Sequence, residues 1–452
     1  MGLTQDIGRF AAGLGFADLP RSAIDTATQG FTDCVGVMLA GSTETAAETA
    51  ARLVGLAALP LIGPPAGTTA EARALAYGTA AHVLDYDDTG LSGHPSAVLV
   101  PAILAVAEES RADGAAMLAA YVAGYETWAE LWAREPDQLH AKGWHPTAVY
   151  GTVAAAAAAA SLRRLDPAQA TAALGIAASR AAGVVANFGS MTKSFQVGTA
   201  ARAGVEAARA AALGMTASPD ALEHRAGLLR ALSPRDRVDT QSPAKIGGDW
   251  AILRQGLNIK RYPVCYALHR ALDGMLALRD RIAGPDAIAA VTVELGETQA
   301  GMLRTAQPQT ALDAKFSAPF AMAAAAIAGR CGLAELSDGF VRRPDVQAFL
   351  PRVAVQPLAG RDDEEPTFSP YDRVSLRLAS GETMSGEPVR RPRGHFANPL
   401  APANIAAKFL DCAATVLGPP EAQRLLAALL DLEHLASFEP LRIAPTRQRK
   451  AS

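Results

Sequence analysis

Residues 148–163, AVYGTVAAAAAAASLR, carry no charge until their last position and are built largely from small side chains. Alanine gives up no side-chain entropy on entering a helix, and a helix coated with methyl groups lets neighbouring helices approach closely. The run Ala154–Ala160 is too short and too weakly apolar to span a bilayer, which takes about 20 predominantly apolar residues. A helix buried inside a tightly packed, alanine-rich bundle is expected. The sequence on either side extends the pattern, with helix-period apolar positions over residues 23–39, 71–84, 97–109, 114–131 and 167–182. Asp166-Pro167 supplies a start signal, a capping carboxylate followed by a proline at the first helical position.

Beyond Tyr262 the texture changes. Residues 287–295 (AIAAVTVEL), 352–356 (RVAVQ) and 373–378 (RVSLRL) alternate and are rich in β-branched side chains, the pattern of strands. Ser380-Gly381 suits a hairpin turn into Thr383 and Met384, and a helix is expected around 314–328. From Pro402 the pattern is helical again, most clearly over 421–434. The fold class expected is mainly α: a large helical domain from residues 1–259 and 401–452, with a smaller α/β domain at 260–400.

Bulk properties narrow the function. The 452 residues carry a formal charge of −3 with no basic stripe, which argues against nucleic acid as a partner. Cys34, Cys265, Cys331 and Cys412 are widely spaced and form no CxxC pair, as expected of reduced thiols rather than a zinc or iron–sulfur site. The start, MGLTQDIGRFAAG, lacks the features of a secretory signal, so a cytoplasmic location away from membranes is the expectation.

Four segments can carry chemistry. Asp85-Tyr86-Asp87-Asp88-Thr89 leads through glycines to His94-Pro95-Ser96. Such a carboxylate cluster reads as a solvated loop, a pocket mouth or a hard-cation site. Gly143-Trp144-His145-Pro146-Thr147 puts an imidazole before a helix start, where anions are attracted. Residues 188–198, FGSMTKSFQVG, read as a glycine-bounded loop ahead of a helix from Thr199, with Thr192, Lys193 and backbone N–H groups able to surround an anion. Lys260-Arg261-Tyr262-Pro263 through His269 forms a basic cluster at the textural boundary, suited to carboxylates or to a structural hinge. No GxSxG elbow or GxGxxG fingerprint accompanies them.

Taken in order, DYDDT…HPS, GWHPTAVYGTVAAAAAA, MTKSFQVGTAARAGVEAA, KRYPVCYALH, AKFSAPFAMAAA and RPRGHFANPL resemble the MmgE/PrpD family over nearly the whole chain. The family includes 2-methylcitrate dehydratase, cis-aconitate decarboxylase and iminodisuccinate epimerase activities. The resemblance implies a helical domain made from both chain ends, an α/β lid with the pocket between domain and lid, a homodimer, and no metal or organic cofactor. It places Asp85, Thr89, His94, His145, Lys193 and His269 at the active site; Thr192 and Lys260, from the reading of their own segments, are expected beside the substrate. Three features depart from the decarboxylating branch: a loop one residue shorter between Thr89 and His94, Phe320 in place of a tyrosine at a substrate-binding position, and Gln196 where many members carry histidine.

The chemistry expected is proton transfer beside a carboxylate of a small polycarboxylic acid. Lys193, Thr192 and Thr89 would steady the developing charge, and two of His94, His145 and His269 would serve as acid and base, with Asp85 tuning one imidazole. Loss of a β-hydroxyl gives a 2-methylcitrate dehydratase-like lyase, the first expectation. Epimerisation and decarboxylation are the alternatives, and a silent polycarboxylate-binding protein is the reading from another class.

Overall fold

The computed structural model describes residues 2–56, 62–63, 67–303 and 305–443. Among them lie nineteen α-helices and one four-stranded sheet, so the chain is mainly α, as its sequence leads one to expect. It divides into two compact units, Met1–Asn258 with Ala401–Ser452, and Ile259–Leu400.

The helices that matter most in the first unit are Arg21–Gly41 (α1), Ala70–Val83 (α2), Pro95–Ser110 (α3), Gly114–Arg134 (α4), Pro146–Leu162 (α5), Thr192–Ala212 (α6) and Pro402–Ala413 (α7). The alanine run of α5 is buried throughout, and α6 packs against both α2 and α5. Backbones touch where α6 crosses α2. A Cβ on Gly78 would lie 2.8 Å from the Gly198 Cα, and one on Gly198 would lie 2.3 Å from the Leu75 carbonyl oxygen.

That crossing corrects one expectation. The helix begins at Thr192 rather than Thr199, so Lys193 and Gln196 are helical residues. Gly198 is a contact point inside the helix, because the neighbouring backbone leaves no room for a side chain. Near the other end of the chain, α7 packs on α1. Lys408 of α7 reaches the Asp33 carboxylate at 2.6 Å and donates to the Tyr86 carbonyl at 2.8 Å.

In the second unit the strands Ile288–Gly296 (β1), Val353–Leu358 (β2), Arg373–Leu378 (β3) and Thr383–Ser385 (β4) form a sheet in the order β2-β1-β3-β4. β1 runs parallel to β2, with Val291 opposite Val353, and antiparallel to β3, with Val293 opposite Val374. Gly381, at φ +90°, turns β3 into β4. The expected helix over 314–328 is two pieces, Ala311–Ala314 and Ala318–Ala328. Ser317 breaks it by capping the second piece, its hydroxyl accepting from the Phe320 N–H. No described helix is long and apolar enough to cross a membrane.

Candidate active site

α2 ends at Val83, one residue after His82, and the chain then enters an irregular segment that leads to α3. Asp85, Leu91 and Ser92 there have φ values of 54°, 51° and 61°, the left-handed region that residues with a Cβ enter at a cost of about 1 kcal/mol or more each. Surrounding contacts hold the segment in that shape. Thr89 and Asn258 exchange backbone hydrogen bonds at 2.9 and 2.8 Å, and the Trp128 indole donates to the Leu91 carbonyl at 3.2 Å. A Cβ on Gly93 would meet Trp128 at 2.7 Å and the Thr147 hydroxyl at 3.0 Å, so the start of α3 lies close against the start of α5.

Three helix starts thereby present the sequence-selected groups. His94 is the residue before α3 and His145 the residue before α5, each followed by proline. Lys193 is the second residue of α6. The ring of His82 stands 4.3 Å from that of His94 and 6.4 Å from that of His145, centroid to centroid. Phe188 packs edge-on to His145 at 4.8 Å, and the Lys193 ammonium lies 5.4 Å from the same phenyl ring. A helix start carries partial positive charge, which favours anions and disfavours a lysine in the first turn. Lys193 is offset by Asp85, whose carboxylate accepts from its ammonium at 2.8 Å.

Hydrogen bonds fix the imidazoles. His145 Nδ1 is 2.7 Å from the Gln196 side-chain oxygen, and the Gln196 amide nitrogen donates to the Val184 carbonyl at 3.2 Å. With its amide so oriented, Gln196 is an acceptor toward His145, so His145 carries its hydrogen on Nδ1 and its lone pair on Nε2. Nε2 of His145 and Nε2 of His82 are both buried without a hydrogen-bond partner among the described residues. Asp87, wholly buried, lies 3.0 Å from Nδ1 of His82 and 3.0 Å from Nδ1 of His94.

Burial sets the charge states. It is the largest cause pulling His145 down to about 2 and His82 down to about 4, with the Lys193 charge adding to both. Both rings are neutral near pH 7. For Asp87, burial pulls upward, but the facing His82 and His94 outweigh it and hold the carboxyl well below the ordinary range. Its neighbour Asp88 goes the other way, raised to about 8 by burial first and then by the charges of Asp87 and Asp33, against the hydrogen bonds from Ser96.

Asp85, His94, His145 and Lys193 are therefore brought into one neighbourhood. Thr89 and Thr192 are half-buried at its edges, Thr192 as the first residue of α6. Lys260, His269 and Phe320 belong to the second unit. There His269 is buried between the rings of Tyr262 and Tyr266, at 5.2 and 4.9 Å. Lys260 is also buried, and Phe320 lies in the apolar core against Phe340. Reading the residues one segment at a time passed over His82 and the distinct places of Asp87 and Asp88. His82 sits on an apolar helix four positions before Tyr86, and its nearness to the acidic run was the only available signal.

Atoms of His82, Asp85, Asp87 and His94 that can bind a metal lie within 4.8 Å of one another. Asp87 already accepts from two imidazoles and Asp85 from an ammonium. That pattern is one of a hydrogen-bonded proton network beside a cation.

Two family models match the chain, the MmgE/PrpD N-terminal domain over residues 5–241 and the MmgE/PrpD C-terminal domain over 262–434. The chain belongs to the MmgE/PrpD family. Among its relatives is cis-aconitate decarboxylase of Mus musculus, 27% identical over 400 residues that span 84% of this chain and 80% of that protein. The Homo sapiens cis-aconitate decarboxylase is 27% identical over 80% of this chain and 76% of its own. The Aspergillus terreus cis-aconitate decarboxylase is 24% identical over 97% and 95%.

Proposed function

We propose that this MmgE/PrpD protein is a lyase that moves a proton at the carbon beside a carboxylate of a small di- or tricarboxylic acid. The observation that carries the reading is the meeting of three helix starts bearing His94, His145 and Lys193 around the buried His82. Removing a proton next to a carboxylate adds charge to an anion, so the reaction needs fixed positive potential where that charge develops. Lys193 and the helix starts supply it. A base must also hold a free lone pair at neutral pH, and His145, neutral and with Nε2 unprotonated, does so. Its basicity is low in the free protein, and an arriving polyanion raises it by its opposite charge.

In the reaction, Nε2 of the base takes the proton and the C–H electrons move into the substrate carboxylate. Their return expels the β-hydroxyl, which leaves as water after receiving a proton from a second imidazole that enters the cycle protonated at Nε2. Loss of water is the first reading, because elimination of a β-hydroxyl needs the base and the acid that these imidazoles can supply. A second reading, loss of carbon dioxide from a cis-aconitate-like acid, is favoured by the names of the relatives. Incubating the protein with a panel of citrate-like and aconitate-like acids in deuterium oxide, followed by mass spectrometry, tests both. A new alkene with loss of water supports the first, and loss of carbon dioxide with deuterium at the vacated carbon supports the second. Deuterium at a stereocentre with neither loss identifies an epimerase, and no change in any acid removes the enzymatic reading.

A further inference from the structure

Resting on the proton-transfer reading of this site, we propose that Asp87 is its positioning residue. One buried carboxylate holds His82 and His94 in the same tautomer and makes them a pair that carries a single proton. His94 Nδ1 lies 3.0 Å from an Asp87 carboxylate oxygen and 2.9 Å from the Asp88 backbone carbonyl. Both neighbours only accept, so that nitrogen bears the hydrogen whatever the charge of the ring. His82 Nδ1 is 3.0 Å from each of the two Asp87 oxygens, and the same logic fixes its hydrogen. The basic atom of each neutral ring is then Nε2. A carboxylate hydrogen-bonded behind a histidine is a familiar way of setting a tautomer, and here one carboxylate serves two rings.

The rings are 4.3 Å apart, so a proton on one opposes a proton on the other. Other charged or titratable groups face the pair from each side: Lys193 from α6, Asp85 from the segment after α2, and His140 and His145 from the residues leading into α5. The Lys193 charge further disfavours a second proton. One member of the pair can take up a proton while the other keeps its lone pair, so abstraction and return of a proton need not exhaust the site's basicity. His82, buried on a helix and unmarked by any motif, becomes a proton-handling group in its own right.

Nitrogen NMR on the full chain labelled with [15N]histidine tests this without a substrate. Eight histidines are few enough to resolve, with the signals assigned by their loss in His82→Gln and His94→Gln variants. At pH 8 both rings are expected to show a protonated Nδ1 and an unprotonated Nε2. On titration toward pH 5 the pair is expected to take up at most one proton, and His94→Gln should raise the pKa of His82. In Asp87→Asn the amide nitrogen that replaces one carboxylate oxygen donates instead of accepting, and His82 Nδ1 lies 3.0 Å from both oxygen positions, so at least one ring should move its hydrogen to Nε2. An Nε2–H tautomer on either ring of the wild type overturns the proposal. So does a His82 pKa that ignores the loss of His94. Should Asp87→Asn fail to fold, the wild-type spectra and titration still decide. A protein with these tautomers but no turnover of any acid would refute the lyase reading while leaving the Asp87 pair standing.

Discussion

Gly198→Ala offers a quantitative test of how the site is assembled. The added Cβ would lie 2.3 Å from the Leu75 carbonyl oxygen, 2.4 Å from the Thr79 hydroxyl and 2.9 Å from the Thr79 nitrogen, whereas ordinary contact begins near 3.4 Å. α2 and α6 must therefore part by about 1 Å, since the atom met is backbone and cannot swing aside. Overpacking of this kind costs about 1–3 kcal/mol, against which alanine's better helix propensity returns roughly 1 kcal/mol. The net expectation is a loss of up to about 2 kcal/mol, a fall in melting temperature of a few degrees at about 2–4 °C per kcal/mol. The catalytic effect should be larger, because α2 carries His82 and α6 carries Lys193. A displacement of about 1 Å can cost about 100-fold in rate. Thermal unfolding and steady-state turnover of Gly198→Ala, beside Gly13→Ala, make the assay; a Cβ at Gly13 meets nothing within 4 Å. Gly198→Ala matching Gly13→Ala in both readouts would refute the crossing as the device that sets the site.

Asp88 has a folded pKa raised to about 8, well above the ordinary carboxylate range. The fold holds a proton there that the unfolded chain releases, so this contribution to stability is complete below about pH 4 and is lost as pH rises through about 8. Asp88→Asn should flatten that part of the urea-midpoint profile, and an unchanged slope from pH 5 to 9 would contradict it. Gln196→Glu places a carboxylate 2.7 Å from His145 Nδ1. A facing charge raises an imidazole pKa by about 1–3 units, so the acid limb of kcat/KM should move to higher pH. An unmoved limb would count against His145 as the base. Lys408→Ala removes the cation 2.6 Å from buried Asp33. Breaking such a pair costs about 3–5 kcal/mol, and a loss under about 1 kcal/mol by denaturant titration would show that the α1–α7 contact does not depend on it.

The helices were legible because alanine content and apolar period are local properties. α5 was expected over 148–163 and runs Pro146–Leu162, and β3 runs over the expected 373–378. The start of α6 was not legible. Gly198 looks like punctuation in one dimension, and only the Leu75 backbone across from it explains a glycine inside a helix. Sheet order was hidden for a similar reason, since β1 pairs with β2 across an intervening run of helices. In the candidate site, the motifs pointed to His94, His145 and Lys193 because each lies at a helix start marked by proline or glycine. The acidic run could not be resolved from sequence. Three neighbouring carboxylates read alike until the fold assigns Asp85 to an ammonium, Asp87 to two imidazoles and Asp88 to Ser96. His82 on its apolar helix face looks like a core residue, and only the turn after Val83 brings Asp87 back to it.

A crystal structure of the protein soaked with a tricarboxylic acid confronts the central claim most directly. The account predicts a carboxylate of the acid within hydrogen-bonding distance of Lys193 Nζ, and the carbon beside it facing Nε2 of His82, His94 or His145. An acid bound with its carboxylates away from Lys193, or with its carbon turned from all three imidazoles, would contradict the account.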